Sequence, residues 1–157
     1  MIQSLSIITA IILFLGYYVM YLTHHGTAPV SLSDTYYNVK NRWKFSVWLI
    51  VLTALVYVPW IEASERLEFL VFFACFANLL VAASPQFKDD FVGKVHYGAA
   101  GVMFVCTLIW EITNGGLFVI LGLFCIFALI NRSRWVLWLE FGLFLDLCFS
   151  LIVKLAA

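Results

Sequence analysis

Charge is what this sequence has least of: nine basic and nine acidic side chains in 157 residues, 11% in all. Soluble domains carry about 25%. That scarcity, with a 64% hydrophobic composition and a mean hydropathy of +1.02, excludes an ordinary water-soluble fold. The two signs cancel, so no basic surface is offered to a nucleic acid. Histidine is scarce too, three in all, with no His-x-x-x-His pair. The four cysteines form no CxxC or CxxH spacing, which excludes a zinc cluster. Each lies in an apolar run, where cysteine acts as a small hydrophobe rather than a disulfide partner. There is no strand-like alternation and so no lipid-facing barrel. A basic n-region is missing as well, so the first apolar run reads as an uncleaved first span.

What is present is length and grease. The chain is one domain by size, and a membrane span takes about 20 mostly apolar residues. Six segments meet or approach that length: 2–23, 45–61, 67–84, 95–113, 116–130 and 135–153. The expectation is an all-α integral membrane bundle of six transmembrane helices. The fifth segment is the shortest. It is joined to its neighbours by Asn114-Gly115 and by residues 131–134, both short enough for tight helical hairpins.

Lysine and arginine set the orientation. Lys40, Arg42, Lys44, Lys88, Lys94, Arg132 and Arg134 fall in alternate loops, against Arg66 and Lys154 on the other side. Basic loops stay cytoplasmic, which places both termini outside the cytoplasm, in a bacterial inner membrane. Trp43, Trp60, Trp110 and Trp135 stand near predicted helix ends and read as interfacial anchors.

Two polar stretches interrupt the apolar runs, 24–44 and 85–97, and this topology makes both of them cytoplasmic. On the first helix Tyr17, Tyr21 and His24 share a face near that side. Asn78 on the third helix and Glu140 on the sixth lie a turn or two in from it, and His96 begins the fourth. Together with Asp146, roughly mid-membrane, these are the candidate pocket residues. An ionisable side chain at Asp146's depth faces the bundle interior with a partner. It serves either proton coupling and substrate contact or packing between helices. Glu140 is near enough to the interface to snorkel outward. Asn78 reads as an interhelical hydrogen bond. His96, Ala100, Met103, Thr107 and Glu111 form a small and polar stripe on the fourth helix, suited to lining a cavity or to close packing.

Ser31-Leu-Ser-Asp34 fits a capping box for a short interfacial helix leading into the second span. The same residues offer a hydrolase constellation, with Ser33, Asp34 and His96 as the catalytic candidates. Tyr36 and Tyr37 read as headgroup-level anchors. His24, His96 and Asp34 are the metal-ligand candidates, since catalytic zinc needs three protein ligands, yet no metal is assigned and no cofactor is named. Lys88, Asp89 and Asp90 read as a solvated turn with charges at helix ends.

The motifs Ser31-Leu-Ser-Asp-Thr-Tyr-Tyr37 and Ala83-Ser-Pro-Gln-Phe-Lys88, followed by Lys94-Val-His-Tyr97, resemble a group of short polytopic membrane proteins of gut Bacteroidetes and their phages. That resemblance brings no activity with it. A fainter one is to the ceramidase and progestin-receptor superfamily of membrane hydrolases, which use Ser, Asp and His at helix ends. It implies hydrolysis through Ser33, Asp34 and His96, although the late His-x-x-x-His is missing.

Three functions follow in order of expectation. The first is an accessory protein of the bilayer that binds a lipid headgroup, small molecule or partner at its cytoplasmic face. The second is a membrane-embedded hydrolase, with or without metal. The third is a small proton-coupled transporter dependent on Asp146, for which a homo-oligomer would help to build a pathway.

Overall fold

The computed structural model describes residues 2–85 and 88–156. Within them the chain is helical and contains no strand: α1 (Ile2–His25), α2 (Thr35–Asn38), α3 (Trp43–Glu62), α4 (Phe69–Ala83), α5 (Asp90–Thr113), α6 (Val119–Ile130) and α7 (Trp135–Ala156), with a 3-10 turn, Arg132–Arg134, before the last. Continuous apolar sequence becomes helix because a helix satisfies its own backbone polar groups where there is no water to do so. Polar punctuation decides where each one stops. Gly26, at φ 69°, ends α1 in the left-handed conformation that glycine adopts without penalty. The Asp89 side chain caps α5 by accepting from the amides of Phe91 and Val92, so that helix begins five residues before its predicted start at 95. The α6 helix begins at 119 rather than 116.

Four helices are long and apolar enough to cross a membrane: α1, α3, α5 and the segment Arg132–Ala156 that contains α7. The other two apolar helices are shorter. At about 1.5 Å per residue, the 15 residues of α4 and the 12 of α6 cover roughly 22 and 18 Å, less than the roughly 30 Å hydrocarbon core. Outward faces are lipid-like: Phe72, Phe73 and Phe76 of α4 are each about half exposed.

Successive apolar helices run in opposite directions. One end of the bundle carries both termini, where the Gln3 side chain donates to Glu62 and Lys154 pairs with Glu65. The other end carries the polar stretches. Helix α1 packs against α3 and α7, α3 against α4, α4 against α5, and α5 against α7. Five helices thereby close a ring, across which α3 and α7 also touch. Helix α6 stands outside the ring and leans on α7. Gly142 makes that lean close, because a Cβ there would come within 2.7 Å of the Phe124 Cβ and 3.4 Å of the Leu121 Cα. Gly142→Ala is therefore expected to destabilise the protein by about 1–3 kcal/mol, the cost of overpacking, measurable as a lowered midpoint of thermal unfolding in detergent.

Three sequence expectations need correcting. Trp43 and Trp135 are exposed near helix ends, but Trp60 and Trp110 are buried. Those two meet edge-to-face, 5.7 Å between centroids, and the Trp110 indole donates to Ser64 Oγ, so they belong to the core of the terminal end rather than to an interfacial belt. Tyr36 is buried as well, not a headgroup anchor. Only the serine half of the capping box is made, with Ser31 Oγ accepting from the Asp34 amide at 3.2 Å, while Asp34, the N-cap of α2, makes no side-chain cap bond. Helix α2 is a single turn, and it stops before α3 instead of leading into it.

Candidate functional site

The ring encloses a cavity of about 330 Å³. On α3 its lining runs from Phe45 to Trp60, roughly 22 Å along the axis at about 1.5 Å per residue. Most of the wall is apolar, with Phe14, Leu52, Val56, Ala74, Leu143 and Leu147 among its residues. At the loop end the wall turns polar, with Ser31, Ser33, Asp34, His96, Tyr97 and Glu140. The stripe on α5 is real in this sense: His96, Ala100, Met103 and Thr107 all face the cavity. Spacings of three and four residues keep them on one side of the helix.

The segment 30–34 overhangs the polar end, held from three directions. Glu140 Oε2 accepts from the Leu32 amide at 2.7 Å; it turns inward instead of snorkelling out, because that amide has no helical partner of its own. The His96 ring bridges two elements. Its Nδ1 lies 2.9 Å from the Ser84 carbonyl and its Nε2 lies 3.0 Å from Ser33 Oγ. A carbonyl only accepts, so Nδ1 carries the proton and Nε2 accepts from the serine hydroxyl. The third direction is α1: the Tyr17 hydroxyl bonds to Thr35 Oγ1 at 2.8 Å, and Thr35 Oγ1 in turn donates to the Leu32 carbonyl. Around the rim, Tyr21 Oη accepts from the Asn38 amide group, Tyr37 Oη accepts from the Lys88 amide, and Arg134 donates to the Ala28 carbonyl. Asp34 lies 4.0 Å from the Lys88 ammonium.

The candidate residues thus separate into groups. Ser33, Asp34, His96, Asn78 and Glu140 line one cavity. Asn78 is tied there to Thr53 Oγ1 at 2.8 Å, the interhelical bond the sequence implied. Tyr17 and Tyr21 sit behind the loop and hold it. His24 is exposed at the end of α1 and is not part of the lining. Asp146 is elsewhere altogether, near the α6 hairpin, where its Oδ1 accepts from the amides of Ile120 and Leu121 at 2.9 and 3.2 Å. Among the described residues no three His, Cys, Asp or Glu side chains gather as metal ligands would. His24 is therefore not brought to His96 and Asp34. Sequence reasoning missed the aromatic and aliphatic wall, because an apolar side chain facing a cavity reads the same as one facing lipid.

Glu140→Ala leaves the Leu32 amide without its acceptor. Loss of a bond to a carboxylate costs about 1.5–3 kcal/mol, and the expected result is several-fold faster proteolytic cleavage within residues 27–34, read by mass spectrometry of the fragments.

No protein-family model, curated protein or solved structure matches this chain.

Proposed function

We propose that this protein binds a single-chain amphiphile inside the membrane, with the tail in the ring cavity and the head among Ser33, Asp34, His96 and Glu140. The proposal places all six apolar helices across a bacterial inner membrane, the two short ones by local thinning of the bilayer. The polar end then faces the cytoplasm and the termini face outside. The observation that carries it is the cavity's polarity, apolar along most of its wall and with its carboxyl and imidazole side chains, Asp34, Glu140 and His96, gathered at one end. Bilayer tails are as apolar as a leucine-lined wall, so a buried tail gains little over its place in the membrane. Selection falls on the head. Asp34 and Glu140 make the mouth rich in acceptors, which favours a head that donates hydrogen bonds over one that is anionic. A monoacylglycerol fits that description, and a free fatty acid of the same chain length does not. Native mass spectrometry of the protein in nanodiscs doped with each lipid tests this. One monoacylglycerol retained per chain in preference to the fatty acid supports the reading, and equal or no retention overturns it.

A second reading is favoured by one geometric fact. Ser33 Oγ and His96 Nε2 are within hydrogen-bond reach, and the ring is oriented by the Ser84 carbonyl. A nucleophile, a base and a third group that orients the base are the parts of covalent acyl transfer. In that reading Ser33 attacks the ester carbonyl of the bound amphiphile. His96 takes the serine proton and returns it to the departing alcohol, and water then releases the acyl group. An activated serine is labelled by a fluorophosphonate. Labelling at Ser33, lost in His96→Gln, supports hydrolysis; an unlabelled Ser33 leaves the pair a structural clasp on the loop.

A further inference from the structure

At the terminal end, away from the cavity mouth, two carboxyl side chains are buried that the binding site does not use. Glu111 and Asp146 are each 1% exposed, as buried as the leucines around them. Asp146 and Ser150 stand one turn apart on α7, and Ser150 Oγ donates to Glu111 Oε2 of α5 at 2.9 Å, so both acids lie on one α5–α7 seam. Three donors of the neighbouring segment are already engaged. The amides of Ile120 and Leu121 go to Asp146 Oδ1, and the Leu117 amide goes to Ser150 Oγ. Glu111 Oε1 and Asp146 Oδ2 remain buried with no hydrogen-bond partner. Gly116 allows the turn after α5 to lie on the acid, since a Cβ there would fall 2.8 Å from the Glu111 Cβ.

We infer that Glu111 and Asp146 form a proton-binding site that holds a single proton on Glu111. Two amide donors at the start of α6 meet Asp146 Oδ1, while the donor to Glu111 Oε2 is a neutral hydroxyl. Two ionised carboxylates on one buried seam would repel each other, and a single proton removes that repulsion. The other charged groups nearby are Lys154 of α7 and Glu65 of the α3–α4 segment, which pair with each other at 3.0 Å on the rim. Arg66 is next along that segment, where its backbone is bonded by Asn114. Helix α6 contributes backbone amides and no charged side chain to the site. Cys148 is the remaining titratable group on α7 there.

Infrared difference spectroscopy of the protein in nanodiscs at neutral pH tests the inference through the C=O stretch of a protonated carboxylic acid. The expected result is a band that disappears in Glu111→Gln, survives in Glu140→Gln, and moves in frequency in Asp146→Asn. Should Glu111→Gln fail to fold, Ser150→Ala keeps the test open, because removing the hydroxyl from Glu111 moves the same band. A spectrum with no such band overturns the inference, as does a band that Glu140→Gln alone abolishes.

Discussion

Ala100→Phe is expected to weaken monoacylglycerol retention about tenfold or more while leaving the fold intact. Ala100 lies on the cavity face of α5 between His96 and Met103. A benzyl group there takes the volume the tail would occupy. In a filled core such a substitution costs about 1–3 kcal/mol through overpacking; into open space it costs less, so unfolding should move little. The binding loss corresponds to about 1.4 kcal/mol for each factor of ten. Val102, two residues on, is 47% exposed on the outer face of the same helix and supplies the control. Val102→Phe is expected to leave retention unchanged. Equal retention by the wild type and Ala100→Phe would mean that the ring cavity is not where lipid is held.

The second large effect concerns the His96 clasp. His96→Ala removes the ring that joins the α4–α5 connection to the overhanging loop. It takes away two buried hydrogen bonds and leaves the Ser84 carbonyl and the Ser33 hydroxyl to find other partners. Each neutral bond is worth about 0.5–1.5 kcal/mol net, and each buried orphan costs about 1–3 kcal/mol more. A destabilisation of about 3 kcal/mol or more follows for His96→Ala, against about half of that for Ser33→Ala, which breaks one bond and orphans only His96 Nε2. Because the two side chains share that bond, the double variant should be less destabilised than the sum of the singles, as measured by denaturant unfolding in mixed micelles. Strict additivity would show that the 3.0 Å contact contributes nothing. Monoacylglycerol retention is expected to fall with His96→Ala as the loop loosens, whereas Tyr97→Phe, which keeps the ring in the lining, should alter head selectivity more than affinity.

The helices were legible because their signal is cumulative. Twenty apolar residues in a row admit few structures, and each boundary sat within a few residues of a glycine, an asparagine or a charge. Individual side chains were less legible. Asn78 was read correctly as a bond to the neighbouring helix, since a primary amide in an apolar span has few other options. Glu140 and Asp146, both acids on α7, looked alike in sequence and behave differently. Glu140 turns to a loop amide more than a hundred residues earlier in the chain. Asp146 turns to the start of a hairpin that local pattern places nowhere in particular. Trp60 and Trp110 misled because nearness to a helix end says nothing about which way the indole points, and here the two point at each other.

The amino-acid sequence alone determined that this is a helical chain of membrane-compatible spans with two polar interruptions, because hydrophobic length and helix punctuation are local properties. Only the tertiary structure decided that five helices form a ring around a cavity and that α6 stands outside it. The same holds for the folding of the first polar stretch over the cavity, where Ser33 meets His96. Those outcomes depend on which apolar face meets which, and on where a backbone amide lacking a helical partner finds a side chain from a distant part of the chain. In a sequence apolar on every face, periodicity carries no record of either.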